Sequence, residues 1–344
     1  MKINRQLRLV FALAVSGMCP TGYAITVDEF IAINDANGDG VVSVAETQFG
    51  ALVDANKDGV VDRAELDTFS KSVRSAMNQH RWVNPLPQEE SYPGVQCTSF
   101  DSPSMQVPVG YCIYLPPSYA RADEASKSYP VVYHLHGGSP GNETQAVRGG
   151  LAGIVHTVMS SREIAPAIVV FVNGGAENTY NYPQKKSMGV DVLVNELIPH
   201  IDASYRSVAD RRGRAIQGFS QGGRGATRIM FGHPELFVSA APGGSGYAVE
   251  QIVAENDGYE RDNRMPGLPV REFAPDENAY DRARQYVARG KQPPLKILLW
   301  LGTDDFNYAA NLEYMGFLYA LDIPFERLIV RGAGTIPEYS LPPA

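Results

Sequence analysis

A serine stands at the centre of the strongest chemical motif in the chain. The pentapeptide Gly218-Phe219-Ser220-Gln221-Gly222 joins a strand-like run, residues 214–217, to a helix-like run that begins near Arg224. Its two glycines allow a strained turn, which exposes a serine hydroxyl and directs backbone N–H groups at a developing oxyanion. The pattern therefore predicts a nucleophilic serine that forms a covalent acyl intermediate.

The groups expected to assist Ser220 include two backbone N–H donors. One is the N–H of Gln221, because it directly follows the nucleophile. The other should come from the glycine-rich loop His136-Gly137-Gly138-Ser139, in which Gly137 and Gly138 are alternatives. Both would stabilise negative charge on an ester carbonyl oxygen during attack.

The base that such a serine needs is missing from its expected place. The six histidines are His80, His134, His136, His156, His200 and His233. In sites built on this kind of serine turn, the histidine follows the last core strand. Here the last strand-like run, 325–330, leads into residues 331–337, which contain no histidine. His136 could be recruited instead, although its loop suits the oxyanion side. His134 and His136 could also ligate a metal, but no carboxylate or cysteine signature accompanies them.

A second motif near the N-terminus predicts calcium binding. Residues with oxygen ligands recur at positions 1, 3, 5, 7, 9 and 12 of two loops, with glycine at position 6. The ligands of the first loop are Asp35, Asn37, Asp39, Val41 (carbonyl), Ser43 and Glu46, and those of the second are Asp54, Asn56, Asp58, Val60 (carbonyl), Asp62 and Glu65. Two tandem matches are typical of paired EF-hands that bind Ca²⁺.

The spacing of these loops is short. They repeat after 19 residues, so a single short helix within residues 47–53 must connect them. A small apolar core is expected from Phe30, Ile31, Phe49, Leu52, Leu66 and Phe69. A structural calcium clamp and a calcium-triggered switch or docking module both remain open as roles.

The N-terminal segment and the net charge indicate where the protein works and which partners it disfavours. Residues 1–24 combine a basic head, a short apolar stretch and a small-residue cleavage site, which predicts an export signal rather than a stable membrane anchor. Its removal takes three positive charges, so the formal charge changes from −8 to −11. Such an acidic protein is a poor partner for nucleic acid or an anionic membrane. Cys97 and Cys112 then remain, either bridged or as two buried thiols.

The domain order follows from these segments. Residues 25–80 form the EF-hand segment, a polar and proline-bearing linker covers 81–92, and residues 93–344 form the larger domain. Within it, strand candidates at 130–135, 167–172, 214–219, 295–301 and 325–330 alternate with helix candidates at 146–159, 190–204, 221–231 and 308–320. This alternation predicts an α/β fold with a mostly parallel central sheet flanked by helices.

Six stretches of the larger domain match a known family in the same order. They are YLPPSY (114–119), YPVVYHLHGG (129–138), NELIPHIDASYRS (195–207), RAIQGFSQGGRGATR (214–228), GHPELF (232–237) and LGTDDF (301–306). Through these stretches, residues 93–334 resemble the esterase D-type family of α/β-hydrolases, which includes feruloyl and acetylxylan esterases, enterochelin esterase and S-formylglutathione hydrolase. The family often has methionine at the position of Gln221, whose contribution is its backbone N–H. His200 and His233 fall in framework stretches, which implies structural roles.

The resemblance also implies a triad acid and a histidine. Gly302-Thr303-Asp304-Asp305 aligns with a Gly-Thr-x-Asp pattern and selects Asp305, with Asp304 as the alternative. Where the family implies Gly-Ala-Gly-His-Asn-Pro, this chain has Gly332-Ala333-Gly334-Thr335-Ile336-Pro337. Deletion of one nucleotide in codons for Gly-His-Asn-Pro would produce Gly-Thr-Ile-Pro. A frameshift that replaced the histidine and the closing helix is therefore our hypothesis.

Two functions remain open on this reading. The first is an exported, calcium-binding carboxylesterase that acts on small or carbohydrate-linked esters through Ser220 and is impaired without its histidine. The second is an inactive hydrolase scaffold that serves as a calcium-dependent binding protein. Substrate contacts are expected from residues 247–289, which carry no readable motif. Neither the ester nor the oligomeric state follows from the sequence.

Overall fold

The computed structural model describes residues 26–47, 50–78, 80–138, 141–176, 179–182, 187–258 and 273–334. These residues form two compact units, one of residues 26–71 and one that begins at Ser72. We expected the boundary at 81–92, whereas the division falls inside a helix. The reason is that residues 80–92 hydrogen-bond to the larger unit. The export segment 1–24 lies outside the described residues.

The smaller unit is built from short helices around two paired loops. Its elements are α1 (Val27–Asn34), β1 (Val42–Ser43), α2 (Gly50–Val53), β2 (Val60–Val61) and α3 (Arg63–Asn78), of which α3 continues past Lys71. The two strands pair antiparallel with Val42 opposite Val61. Phe30, Val42, Val53, Val61 and Leu66 form its core. As expected, one short helix, α2, connects the loops.

The larger unit contains an eight-stranded sheet. Its strands are β3 (Val95–Ser102), β4 (Val107–Tyr114), β5 (Val131–Leu135), β6 (Ile168–Val172), β9 (Arg214–Phe219), β10 (Ser239–Gly243), β11 (Lys296–Asp304) and β12 (Glu326–Gly334). The order is β12-β11-β10-β9-β5-β6-β4-β3. All neighbours from β12 to β6 are parallel, and β4 and β3 complete the sheet antiparallel. A separate small pair consists of β7 (Asn181–Tyr182) and β8 (Ser187–Met188).

Helices connect the parallel strands, as crossover connections require. They are α4 (Gln145–Arg148), α5 (Leu151–Ser160), α6 (Gly189–Asp191), a π-helical stretch (Val192–Leu197), α7 (Ile198–Ser204), α8 (Gln221–Gly232), α9 (Tyr247–Glu255), α10 (Ala279–Ala288) and α11 (Tyr308–Ala320). Short 3₁₀ turns lie at Pro117–Ala120, Ala122–Glu124, Arg211–Gly213 and Pro275–Glu277. This architecture confirms the predicted α/β-hydrolase fold class.

The central strands are buried because their side chains are apolar on both faces. All five residues of β6 are buried, and the core is continuous from Val109 in β4 to Leu301 in β11. A parallel strand covered on both faces reads as such a continuous apolar run. The edge strand β12 is more open, with Leu328 51% and Val330 43% exposed. Within the described ranges, no helix combines the length and apolarity needed to cross a bilayer.

Cys97 and Cys112 form a disulfide in the outer hairpin. They lie opposite each other in the register of β3 and β4, and 15 residues separate them in sequence. Of the two alternatives that the sequence leaves open, the structure therefore has the bridge. It ties the antiparallel edge of the sheet together.

Candidate active site

Ser220 occupies a sharp turn between β9 and α8. Its φ is +56° and its ψ −116°. This backbone conformation is strained for any residue other than glycine. The turn is held on both sides, because Ser220 N–H donates to Gly243 O at 2.9 Å and Ser220 O accepts from Gly246 N–H at 3.3 Å. The strand-to-helix elbow predicted from the pentapeptide is therefore present, with the serine half-buried at its tip.

The glycines of the motif are required by close backbone crossings. A Cβ on Gly222 would lie 2.2 Å from Leu135 O, and a Cβ on Gly218 would lie 2.4 Å from Gly222 O. Both distances are far below van der Waals contact, so any side chain there would displace backbone. The absence of side chains lets α8 begin directly against the end of β5.

The glycine-rich loop after β5, residues 136–139, is the expected source of the second oxyanion donor and is called the oxyanion loop. Of its two candidate amides, Gly137 N–H and Gly138 N–H, one is free among the described residues. Gly137 N–H donates to Gln145 Oε1 at 2.7 Å and is therefore already in use. Among the described residues, Gly138 N–H has no such partner, and no atom lies within 4 Å of a Cβ placed on Gly138. Gln221 donates its side-chain Nε2 to Ala176 O at 3.0 Å, which leaves its backbone N–H at the first turn of α8. Ser139 lies outside the described residues.

The two aspartates after β11 differ in burial. Asp305 is 4% exposed, and its Oδ1 accepts from Asn307 N–H at 2.7 Å. Its Oδ2 lies 2.6 Å from the point that a Cβ on Gly244 would occupy. Gly244 directly follows the end of β10, whose last residue, Gly243, accepts from Ser220 N–H. Asp304 is exposed and accepts from Thr303 Oγ1 at 2.8 Å. The geometry thus brings Asp305, rather than Asp304, towards the elbow.

His136 is buried and has both ring nitrogens engaged. Its Nδ1 lies 2.7 Å from Gly137 O, and its Nε2 accepts from Gly174 N–H at 3.2 Å. Burial lowers its pKa to about 3, so the ring is neutral at pH 7. These two bonds fix the tautomer and connect the oxyanion loop to the loop after β6. An imidazole held in this way has no nitrogen left to accept a proton from Ser220.

The other five histidines contact residues away from Ser220. His134 is buried in β5 against Phe171, and burial lowers its pKa to about 4. His200 lies 3.0 Å from Tyr111 Oη, and His156 lies 3.4 Å from Tyr114 Oη. His80 packs on Trp82, and His233 ends α8 beside Glu235. In the parts of the chain that the structure describes, none of these histidines belongs to a group of three or more His, Cys, Asp and Glu side chains that could hold a metal ion.

The position at which a histidine was expected follows the last strand. Thr335 itself lies outside the described residues. Gly334, the residue before it, is the register partner of Asp304 in the β11–β12 pair. The chain therefore leaves β12 beside the strand end that carries Asp305.

A buried carboxylate network that the sequence did not reveal supports the oxyanion loop. Glu143 is 2% exposed and accepts from Asn84 N–H at 2.7 Å and from Asn173 Nδ2 at 2.8 Å. Asn173 Nδ2 also donates to Arg81 O at 2.9 Å. Burial raises the pKa of Glu143. The segment expected to be a linker thus fastens the loops that follow β5 and β6. Only the proximity of Asn142-Glu143 to the glycine-rich loop could have indicated this role.

A second missed cluster lies beside the elbow on α8. Arg228 Nη1 donates to Glu250 Oε1 at 2.6 Å, and Arg224 Nη1 lies 3.7 Å from the same oxygen. Glu250 is fully buried, and Tyr180 Oη and Ala279 N–H also donate to it. The signal in the sequence was the pair of arginines in an otherwise small and apolar helix. Of the predicted substrate stretch 247–289, residues 247–258 and 273–289 are described, and these include Glu250.

The two predicted calcium loops have matching backbone geometry. Position 6 of each loop has a positive φ, +85° at Gly40 and +87° at Gly59. The twelfth residues reach back across their loops, because Glu46 Oε1 accepts from Asn37 N–H at 3.2 Å and Glu65 Oε1 from Asn56 N–H at 3.1 Å. The N–H and O–H of Ser43 lower the pKa of Glu46. The backbone and donor set fit Ca²⁺, although the loop carboxylates here accept from their own loop amides.

Comparison with known proteins identifies the family. The family model described as "Putative esterase" matches residues 102–319, well over half of the chain, and the chain belongs to this family. A second model, for an EF hand, matches residues 51–70, which contain the second loop.

Similar proteins with assigned names are esterases. The chain is 31% identical over 130 residues to an endo-1,4-beta-xylanase/feruloyl esterase of Xylanibacter ruminicola, which is 36% of this chain and 18% of that protein. It is 29% identical over 136 residues to an esterase of Mycobacterium tuberculosis, 38% of this chain and 28% of that one. The matches therefore span less than a third of these relatives.

Solved structures share the fold. A ferulic acid esterase superposes with a TM-score of 0.57 at 21% identity, over 70% of this chain and 91% of that chain. An S-formylglutathione hydrolase from Staphylococcus aureus gives a TM-score of 0.55 at 18% identity, over 71% and 93%. At these identities the likeness establishes the α/β-hydrolase fold.

Proposed function

We propose that the protein is a serine carboxylesterase whose nucleophile is Ser220. The observation that carries the proposal is the positive-φ elbow of Ser220 at the junction of β9 and α8. In the reaction, Ser220 Oγ bonds to the ester carbonyl carbon, and the carbonyl electron pair moves to oxygen. The N–H groups of Gln221 and Gly138 stabilise this oxyanion. Its collapse breaks the bond to the alcohol, which leaves with the proton that Ser220 Oγ gives up, and water then releases the acid from the acyl-serine and returns a proton to Oγ.

Proton transfer is the step that limits this site. In this proposal Asp305 would orient an imidazole, yet each of the six histidines of the chain has a place elsewhere in the fold. Position 335 follows Gly334, which pairs with Asp304 at the end of β12. We infer that a histidine at position 335 would reach Asp305 and Ser220. With threonine there, none of the six histidines, all of which are described, acts as a general base for Ser220, and we expect slow turnover supported by the oxyanion donors and substrate binding.

The substrate class is proposed as a carboxylic ester, with carbohydrate-linked esters as the favoured group. The support is the family membership and the feruloyl esterase among the relatives.

The test is hydrolysis of p-nitrophenyl acetate by the chain and its Ser220→Ala variant, with Asp305→Asn as a second variant. A Ser220-dependent rate above background supports the proposal. Equal rates for the chain and Ser220→Ala would contradict it. Asp305→Asn is informative in the Thr335→His background, where an unchanged rate would remove Asp305 from the site.

A second candidate function is calcium-dependent binding without catalysis. The observation that favours it is the engagement of His136, whose two nitrogens are bonded to the loops around the elbow. Retention on immobilised polysaccharide in Ca²⁺ but not in a chelator, unchanged in Ser220→Ala, would support this function. Equal retention with and without Ca²⁺ would contradict it.

We also propose that the two loops bind Ca²⁺ as a structural clamp in an exported protein. The ligands would be Asp35, Asn37, Asp39, Val41, Ser43 and Glu46 in the first loop and Asp54, Asn56, Asp58, Val60, Asp62 and Glu65 in the second. Without an ion, the acidic groups of each loop repel one another, and Ca²⁺ removes that repulsion. Calorimetric titration tests this: two binding events are expected, and Glu65→Gln should remove one. An absence of heat in the wild-type chain would contradict it.

A further inference from the structure

The side chain of Arg224 is buried inside the larger unit and is 5% exposed. Among the described residues, its Nη1 has no hydrogen-bond partner, and Glu250 Oε1 at 3.7 Å is the sole carboxylate oxygen within 4.0 Å of it. A buried guanidinium nitrogen without a hydrogen bond is costly, because its lost hydration is not replaced. Such groups in native proteins call for an explanation, and a ligand is one.

Glu250 does not serve as the dedicated partner of Arg224. Arg228 Nη1 donates to Oε1 at 2.6 Å, Ala279 N–H donates to Oε2 at 2.7 Å, and Tyr180 Oη donates at 3.2 Å to Oε2. Arg228 is further held by Tyr180, whose ring centroid lies 3.5 Å from its Cζ. The charge of Glu250 is therefore neutralised by Arg228. The positive charge of Arg224 has no carboxylate of its own among the described residues.

Arg224 is close to the nucleophile. It lies in the first turn of α8, directly after the elbow, and its backbone N–H donates to Ser220 O at 3.2 Å. Its Cδ is 3.7 Å from the point that a Cβ on Gly246 would occupy, and Gly246 N–H donates to Ser220 O at 3.3 Å. An anionic group bound by Arg224 would therefore be attached to a molecule that also reaches Ser220.

We propose that Arg224 forms an anion subsite beside Ser220 and selects esters that carry a second, free carboxylate. This inference rests on the proposed function, because it takes the surroundings of Ser220 as the substrate site. A guanidinium presents two parallel N–H groups, which match the two oxygens of a carboxylate. Binding would give Arg224 the hydrogen bonds that the protein does not supply. Arg224 would act as a specificity-determining residue, with no part in proton transfer.

The test compares two anilides that differ at one group. Succinanilic acid carries a carboxylate where butyranilide carries a methyl group, and both resemble acyl groups without being readily hydrolysed. Calorimetric titration of the full chain at pH 7 measures the affinity ratio of the two. We expect succinanilic acid to bind roughly ten- to a hundredfold more tightly, as a charge-assisted pair provides. Arg224→Gln should bring the ratio to about one, while the exposed control Arg212→Gln keeps the wild-type ratio.

Equal affinities in the wild-type chain, an unchanged ratio in Arg224→Gln, or the absence of saturable binding by succinanilic acid would each overturn the assignment. If Arg224→Gln does not fold, the Arg224→Lys variant is measured instead. Lysine keeps the charge but lacks the planar pair of N–H groups, so the affinity ratio of succinanilic acid to butyranilide should fall severalfold. An unchanged ratio in Arg224→Lys would then contradict the subsite. The proposed esterase function fails separately, through the loss of any Ser220-dependent hydrolysis, while the binding ratio stays measurable.

Discussion

The strained turn at Ser220 makes a prediction about stability that is independent of activity. Its φ of +56° and ψ of −116° belong to a region that glycine enters freely and that costs other residues about 1–3 kcal/mol. Glycine is less favourable than alanine by roughly 0.5–1 kcal/mol at an ordinary position, because it loses more backbone freedom on folding. Ser220→Gly should therefore be more stable than Ser220→Ala, by about 1 kcal/mol when the middle of the second range is subtracted from the middle of the first.

The assay is denaturant unfolding of the two variants, both of which lack the hydroxyl. A matched control is Ala203→Gly on the exposed side of α7, where the backbone is helical and glycine should instead lower stability by about 1 kcal/mol. The reasoning is refuted if Ser220→Gly is equal to or less stable than Ser220→Ala while Ala203→Gly behaves as expected. That result would mean that the elbow does not hold residue 220 at positive φ.

Three further predictions concern stability. Replacement of Cys97 and Cys112 by alanine should lower the free energy of unfolding by about 3 kcal/mol, because the bridge closes a loop of 15 residues. A reductant should have no effect on the double variant, and equal melting temperatures of variant and wild type would contradict the prediction. His134 is neutral in the folded state with a pKa of about 4, against 6.5 when unfolded, so the unfolded state takes up the proton first and stability falls as pH drops from 6.5 towards 4. The share of His134 in the slope should approach ~1.4 kcal/mol per pH unit. Because His136, with a pKa of about 3, adds a slope of its own, His134→Leu should reduce the steepness of the acid limb and leave the rest; an equally steep acid limb in that variant would be the contrary result. Calcium at about 100 times its dissociation constant should stabilise the small unit by about 2.7 kcal/mol for each loop that binds it, or about 5.4 kcal/mol for both. Glu46→Gln should therefore remove about half of the calcium-dependent stabilisation in a melting experiment, and an equal calcium effect in Glu46→Gln and in the wild-type chain would contradict binding in the first loop.

Local patterns in the sequence predicted much of the fold. The strand at 214–219 and the helix at 308–320 appear with the predicted bounds, because alternating and helical apolar periods are local properties. The predicted helix at 146–159 was wrong as a single element. It is divided into α4 and α5 at Gly149-Gly150, where Gly150 has a φ of +97° that no helix allows.

Contacts between distant residues were beyond the sequence. Glu143 meets Asn84 across 59 residues, and Tyr180 meets Glu250 across 70, and no local period encodes such pairs. The serine elbow could be predicted because its glycines and serine are adjacent in sequence. The surplus charge of Arg224 could not be predicted, since it depends on which donors surround Glu250. Likewise, the choice of Gly138 over Gly137 follows from the position of Gln145.

The central claim is that the site around Ser220 lacks only its base. The most direct measurement is kcat/KM for p-nitrophenyl acetate in Thr335→His, compared with the wild-type chain and with Thr335→Gln. We predict a gain of roughly a hundredfold or more for Thr335→His, as a positioned general base provides, and none for Thr335→Gln. The gain should vanish when Ser220→Ala is added. A Thr335→His variant that folds but is no faster than the wild-type chain would contradict the account.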